Sequence, residues 1–165
     1  MQWFVIDPGR STVIIEARSS VGPIAWEVTS PVGAFTLAQD GLDPTGAAGH
    51  LELELARMSS GNRVYDAELL RRVDAHRFPR ARLELSSATT AEDGLIQAVG
   101  TVEFHGVRRP LNGTLRLERA GGGLLVTGQH VVDIRDFELP PPTMLMLKIY
   151  PDVHVHLIVS ARPDA

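Results

Sequence analysis

Residues 99–117, VGTVEFHGVRRPLNGTLRL, constrain the fold more than any other stretch of the chain. Ala98, Gly100, Val102 and Phe104 alternate with Val99, Thr101, Glu103 and His105. Leu111, Gly113, Leu115 and Leu117 then alternate with Asn112, Thr114, Arg116 and Glu118. A period of two marks strands with one dry face and one wet face. The connection 105–110 supplies Gly106 for a positive φ and Pro110, which cannot donate to an interior ladder, so the stretch reads as a β-hairpin.

The same rhythm recurs along the chain. Residues 3–6 read as a short strand ending in the turn 7–10, and residues 11–18 as another, with Val13, Ile15 and Ala17 on one face. Residues 19–23 break the pattern, and 24–29 and 33–39 give two more strands around Ser30-Pro31. Asp40-Gly41-Leu42-Asp43-Pro44-Thr45-Gly46 is a loop by composition. Residues 50–57 then set Leu51, Leu53 and Leu55 against His50, Glu52 and Glu54.

At 66–73 the period changes. Asp66 is suited to capping and Glu68 stands four residues before Arg72, which predicts one short helix packed through Leu69, Leu70 or Val73. Strands resume at 81–87, in the hairpin, at 124–133, at 143–150 and at 153–161, where Val153, Val155, Leu157 and Val159 share a face. Glu92-Asp93-Gly94 and 121–123 read as turns, and Pro140-Pro141-Pro142 as a stiff connection. Eight to ten strands at this spacing predict an all-β, antiparallel single domain over residues 1–165; periodicity leaves barrel and sandwich open.

The length of 165 residues suits one core, and a net charge of −4 gives no electrostatic reason to expect nucleic acid. With no cysteine there is no disulfide, no Cys-ligated zinc and no thiol nucleophile. The first residues lack a basic segment followed by a long apolar one, so the expected location is the cytoplasm. Residues 143–150 are apolar on both faces. They suit either burial or a patch for a homodimer or transient membrane contact.

The interior candidates are Val13, Ile15, Phe35, Leu53, Leu55, Leu83, Leu85, Val102, Phe104, Leu115, Leu117 and Val126. By pattern alone they line a pore or fill a core, since an eight-stranded barrel supports both. His154 and His156 share a strand face at usable metal spacing. No third ligand is evident, so a metal-dependent enzyme is the lesser alternative.

Several segments, in order, carry a resemblance. Trp3 followed by Asp7-Pro8-Gly9-Arg10-Ser11, Gly33-Ala34-Phe35, Ser60-Gly61-Asn62 with Asp66 and Leu69, Phe78-Pro79, Phe104-His105-Gly106-Val107-Arg108-Arg109-Pro110-Leu111 and Arg135-Asp136-Phe137 together resemble the polyisoprenoid-binding, YceI-like family. The resemblance implies a lipocalin-like barrel whose apolar pore holds the tail of an isoprenoid lipid or isoprenoid quinone, with no catalysis and no cofactor. It implies a polar head near the mouth, for which Arg10, Tyr65, Asp66 and Arg135 are the candidates. Arg10 stands where the family has His, and Tyr65 and Glu68 stand where its Arg and His fall. The departures lie on polar positions, so the expectation attaches to the apolar tail more than to a pyrophosphate head.

Overall fold

The structure, a computed structural model, describes residues 1–38, 42–91, 93–140, 143–144 and 147–164, the last pair before 147 without side chains. Its strands are β1 (Gln2–Ile6), β2 (Thr12–Ser19), β3 (Gly22–Thr29), β4 (Val32–Leu37), β5 (Ala48–Glu54), β6 (Met58–Ser59), β7 (Arg80–Thr90), β8 (Ile96–Phe104), β9 (Val107–Ala120), β10 (Gly123–Asp133), β11 (Thr143–Met144) and β12 (Leu147–Pro163). One helix, α1 (Arg63–Arg72), and three 3-10 turns, Pro8–Arg10, Leu55–Arg57 and Ile134–Phe137, complete it.

Eight strands run in the ring β1-β4-β5-β7-β8-β9-β10-β12, every neighbour antiparallel. The contact that makes this a barrel is the return of β12 to β1, where Phe4, Val5 and Ile6 face Pro163, Arg162 and Ala161. Periodicity holds no record of that pairing. It joins residues at opposite ends of the sequence.

Three staves of the barrel are bent in two. β1 runs on into β2 through the turn Pro8–Arg10, β3 into β4 through Ser30-Pro31, and β5 into β6 through the turn Leu55–Arg57. The lower halves pair among themselves, β2 with β12 and β3, and β3 with β6. At the first bend Asp7 accepts the Gly9 N–H at 3.1 Å, and the Ser11 hydroxyl donates to Asp7 O at 2.7 Å. Ser11 Oγ also accepts the Ser160 N–H at 3.0 Å. The hydroxyl thus replaces the ladder bond that the bend removes, which keeps a buried polar group satisfied.

The structure corrects several boundaries. The hairpin connection is only His105-Gly106, with φ of 56° and 73°, the two positive values a two-residue type I′ turn requires. Pro110 therefore stands inside β9, opposite Thr101. Its missing N–H is harmless, because the β9–β10 ladder stops at Thr114 and leaves that edge of residue 110 without a neighbouring strand. Leu55 belongs to a 3-10 turn rather than to the strand read over 50–57.

The helix begins three residues before Asp66. Asn62 is its cap, its Oδ1 accepting from Val64 N at 3.0 Å and Tyr65 N at 3.2 Å. Residues 147–150 and 153–161, read as parts of separate strands, belong to one long strand, β12, and Thr143–Met144 form β11, paired with its start. Asp40, Gly41, Glu92, Pro141, Pro142, Leu145 and Met146, named in the sequence reading, lie outside the described residues. Among the described residues no helix is long and apolar enough to cross a membrane.

Apolar clusters stand toward both ends of the barrel. At one end Leu55, Met58, Val73, Ile134, Phe137 and Leu139 are buried, with Phe104 and Phe137 edge to face at 5.6 Å. At the other, Phe4 stacks on Phe35 at 5.5 Å over Leu37, Ala47, Leu124 and Ala161. Such ring pairs add about 0.5–1.5 kcal/mol beyond the area they bury.

Candidate functional site

The inward faces of the strands leave a cavity of about 370 Å³ with an almost wholly apolar wall. The size lies in the range of small-molecule sites, roughly 300–1,000 Å³. It exists because alternation puts one apolar side chain in two inward on every stave, while several inward positions are glycine. Gly49, Gly100, Gly113 and Gly128 all border it.

All twelve interior candidates, Val13, Ile15, Phe35, Leu53, Leu55, Leu83, Leu85, Val102, Phe104, Leu115, Leu117 and Val126, stand on the cavity wall. So do residues outside that set, notably Trp26, Val155, Leu157 and Phe137. The signal for Val155 and Leu157 was present in the alternation of 153–159. Phe137 has none in the alternation, only its place in the Arg135-Asp136-Phe137 segment of the resemblance, because it reaches the wall from a 3-10 turn.

Trp26 is 2 % exposed, and its indole N–H has no hydrogen-bond partner among the described residues. An orphaned buried donor costs about 1–3 kcal/mol. The ring is the wall's built-in fluorophore; the chain's second tryptophan, Trp3, is half exposed outside.

The sequence matches the YceI-like domain over residues 4–161. The chain belongs to the YceI-like family. Its fold is similar to that of BcnA from Burkholderia cenocepacia, with a TM-score of 0.83 at 12% identity over 94% of this chain and 98% of that one. A polyisoprenoid-binding domain from Saccharophagus degradans superposes with a TM-score of 0.78 at 12% identity, covering 99% and 100%. The Campylobacter jejuni YceI protein gives 0.68 at 10% identity over 84% and 83%. No curated protein matches the chain significantly.

Within this YceI-like barrel the four head-group candidates stand apart, and none is on the cavity wall. Arg10 lies in the bend between β1 and β2, exposed. Tyr65 is half-buried on α1 and packs against the main core. Asp66 accepts from Ser60 N at 2.9 Å and Ser60 Oγ at 2.6 Å, so it ties down the loop before the helix. Arg135 is exposed and paired to Asp133 at 2.6 Å. Hydrogen bonds from Arg135 hold the Asp133 carboxyl below the ordinary carboxylate range, and the same pairing raises the guanidinium.

His154 and His156 lie on the outward phase of β12, opposite Val131 and Gln129 of β10. Among the described residues no three His, Asp or Glu side chains converge as metal ligands. Outside the barrel, Arg82 bridges Glu52 and Glu84, and Arg108 joins Glu84 at 2.7 Å. The Arg82 hydrogen bond, with Arg108 adding to it, holds the Glu84 carboxyl below its ordinary value.

Proposed function

We propose that this YceI-like barrel binds a long apolar molecule, an isoprenoid lipid or isoprenoid quinone, in its interior, and carries or stores it without changing it. The observation that carries the reading is the cavity itself, apolar on nearly all of its wall and of ligand size. The description of the Saccharophagus degradans domain as polyisoprenoid-binding supports the ligand class.

Burial of a prenyl tail is favourable by about 0.8 kcal/mol per CH₂ relative to water. A bilayer offers the same tail nearly the same gain, so the wall alone holds a lipid against water and not against a membrane. Discrimination has to come from shape and from the polar end of the ligand.

Native mass spectrometry of the purified chain, followed by organic extraction and lipid identification, tests the proposal. A co-purifying isoprenoid chain or quinone is the expected result. A clean apo mass, unchanged after incubation with prenyl lipids and quinones, overturns it and leaves a barrel acting through protein contacts.

A further inference from the structure

Between β9 and β10 the barrel wall parts. Their ladder runs from Ala120–Gly123 to Thr114–Gln129 and stops. β9 stays paired with β8 down to Val107, and β10 stays paired with β12 down to Asp133. Each edge is thus held from behind while the two edges leave each other. Farther on, the turn Ile134–Phe137 ties them together again. Arg109 Nε donates to Asp136 O at 2.7 Å, and His105 Nδ1 lies 3.0 Å from Phe137 O. The result is an opening in the backbone ladder, bounded at both ends.

Extending the Thr114–Gln129 register by one step would set Gly113 opposite His130. Both sit on the inward phase of their strands, and both border the cavity. A Cβ built on Gly113 would meet nothing within 4 Å, so that edge is open space. His130 shares its phase with Leu124, Val126, Gly128 and Val132, and is the one ionisable side chain among them. It is half-buried and has no hydrogen-bond or ion-pair partner among the described residues.

We propose that the polar end of the ligand lies in this opening, hydrogen-bonded by His130, and that it is an uncharged oxygen, a hydroxyl or a ring carbonyl. This rests on the carrier reading above. An imidazole ring carries two nitrogens that can hydrogen-bond a hydroxyl or a carbonyl oxygen. The cavity wall holds no Lys or Arg among the described residues. A phosphate at His130 would lose part of its hydration with no cation from the cavity wall to replace it, Arg109 standing four residues along β9 from Gly113 with its Nε on Asp136 O. The Trp26 N–H, the buried side-chain donor without a partner among the described residues, is shut away from solvent within the wall.

The delipidated chain is titrated with four probes: a polyprenol, an isoprenoid quinone, a polyprenyl diphosphate and the isoprenoid hydrocarbon squalene. Trp26 fluorescence reads affinity and native mass spectrometry reads stoichiometry. One net hydrogen bond makes the polyprenol and the quinone about five- to tenfold tighter than the hydrocarbon. His130→Leu brings the ratio of polyprenol or quinone affinity to hydrocarbon affinity to about one, and His130→Gln restores most of it. An unchanged margin in His130→Leu, an equal loss for all probes, or a wild-type preference for the diphosphate overturns the assignment. A wild-type chain that takes up no probe overturns the carrier reading itself, a result separable from hydrocarbon uptake indifferent to residue 130.

Discussion

Gly100 and Gly113 stand on neighbouring strands, both on the inward phase, and the same substitution at each should have opposite effects. A Cβ on Gly100 would lie 1.9 Å from the Glu84 carbonyl oxygen and 3.2 Å from Leu85 Cα, both backbone. The close approach arises because β7 bulges between Leu85 and Ser87, opposite this residue. Nothing there is the free end of a side chain, so β7 and β8 have to separate. Overpacking of this kind costs about 1–3 kcal/mol. At Gly113 nothing lies within 4 Å, and no positive φ stands in the way. Replacing a glycine also removes unfolded-state entropy, a gain of about 0.4–1 kcal/mol common to both variants. The gain cancels in the comparison, so Gly113→Ala should exceed Gly100→Ala by about 1–3 kcal/mol. Urea unfolding followed by circular dichroism measures it: with a slope of about 2 kcal/mol per molar, a 2 kcal/mol gap moves the midpoint by about 1 M. Equal midpoints would refute the argument that backbone proximity, rather than entropy or a bulge preference, holds glycine at residue 100.

Leu115→Glu places a carboxylate on the apolar wall and should abolish retention of a prenyl lipid in native mass spectrometry; a folded variant that still holds lipid removes Leu115 from the binding surface. Asn62→Ala removes the cap that accepts from Val64 and Tyr65, and should lower stability by about 1 kcal/mol in urea, whereas a cap at Asp66 would leave it unchanged. Arg135 depresses the Asp133 carboxyl, so the pair's contribution is present above the ordinary carboxylate value of about 3.9 and is lost as pH falls through the lower folded value. Arg135→Gln should therefore lower Tm slightly at pH 7 and narrow its gap to wild type below pH 3, read by thermal melts across that range; a gap that widens with acid contradicts the sign.

The pattern of side chains along the strands was legible without coordinates. The alternation of Leu51 and Leu53, of Gly100, Val102 and Phe104, and of Val13 and Ile15 depends only on the local period of two, so inward and outward faces could be assigned from neighbours in the chain. The same locality explains what went astray. Asp66 looked like a cap because it precedes a helical run, but a cap is defined by which side chain reaches the free N–H groups, and Asn62 does so. The hairpin turn looked six residues long because Pro110 signals a break, and only the absence of a β10 neighbour at that height makes a proline admissible there.

An antiparallel all-β chain with one dry face, a short helix and a YceI-like order of motifs can be read from neighbouring residues alone, because each is a short-range matter of spacing and turn chemistry. Closure of the sheet through β1 and β12, the cavity in the interior, and the separation of β9 from β10 beside Gly113 and His130 emerge once the whole ring is assembled. Those outcomes depend on strand register around the whole ring and on the volume left between side chains from different staves, quantities that no window of consecutive residues contains.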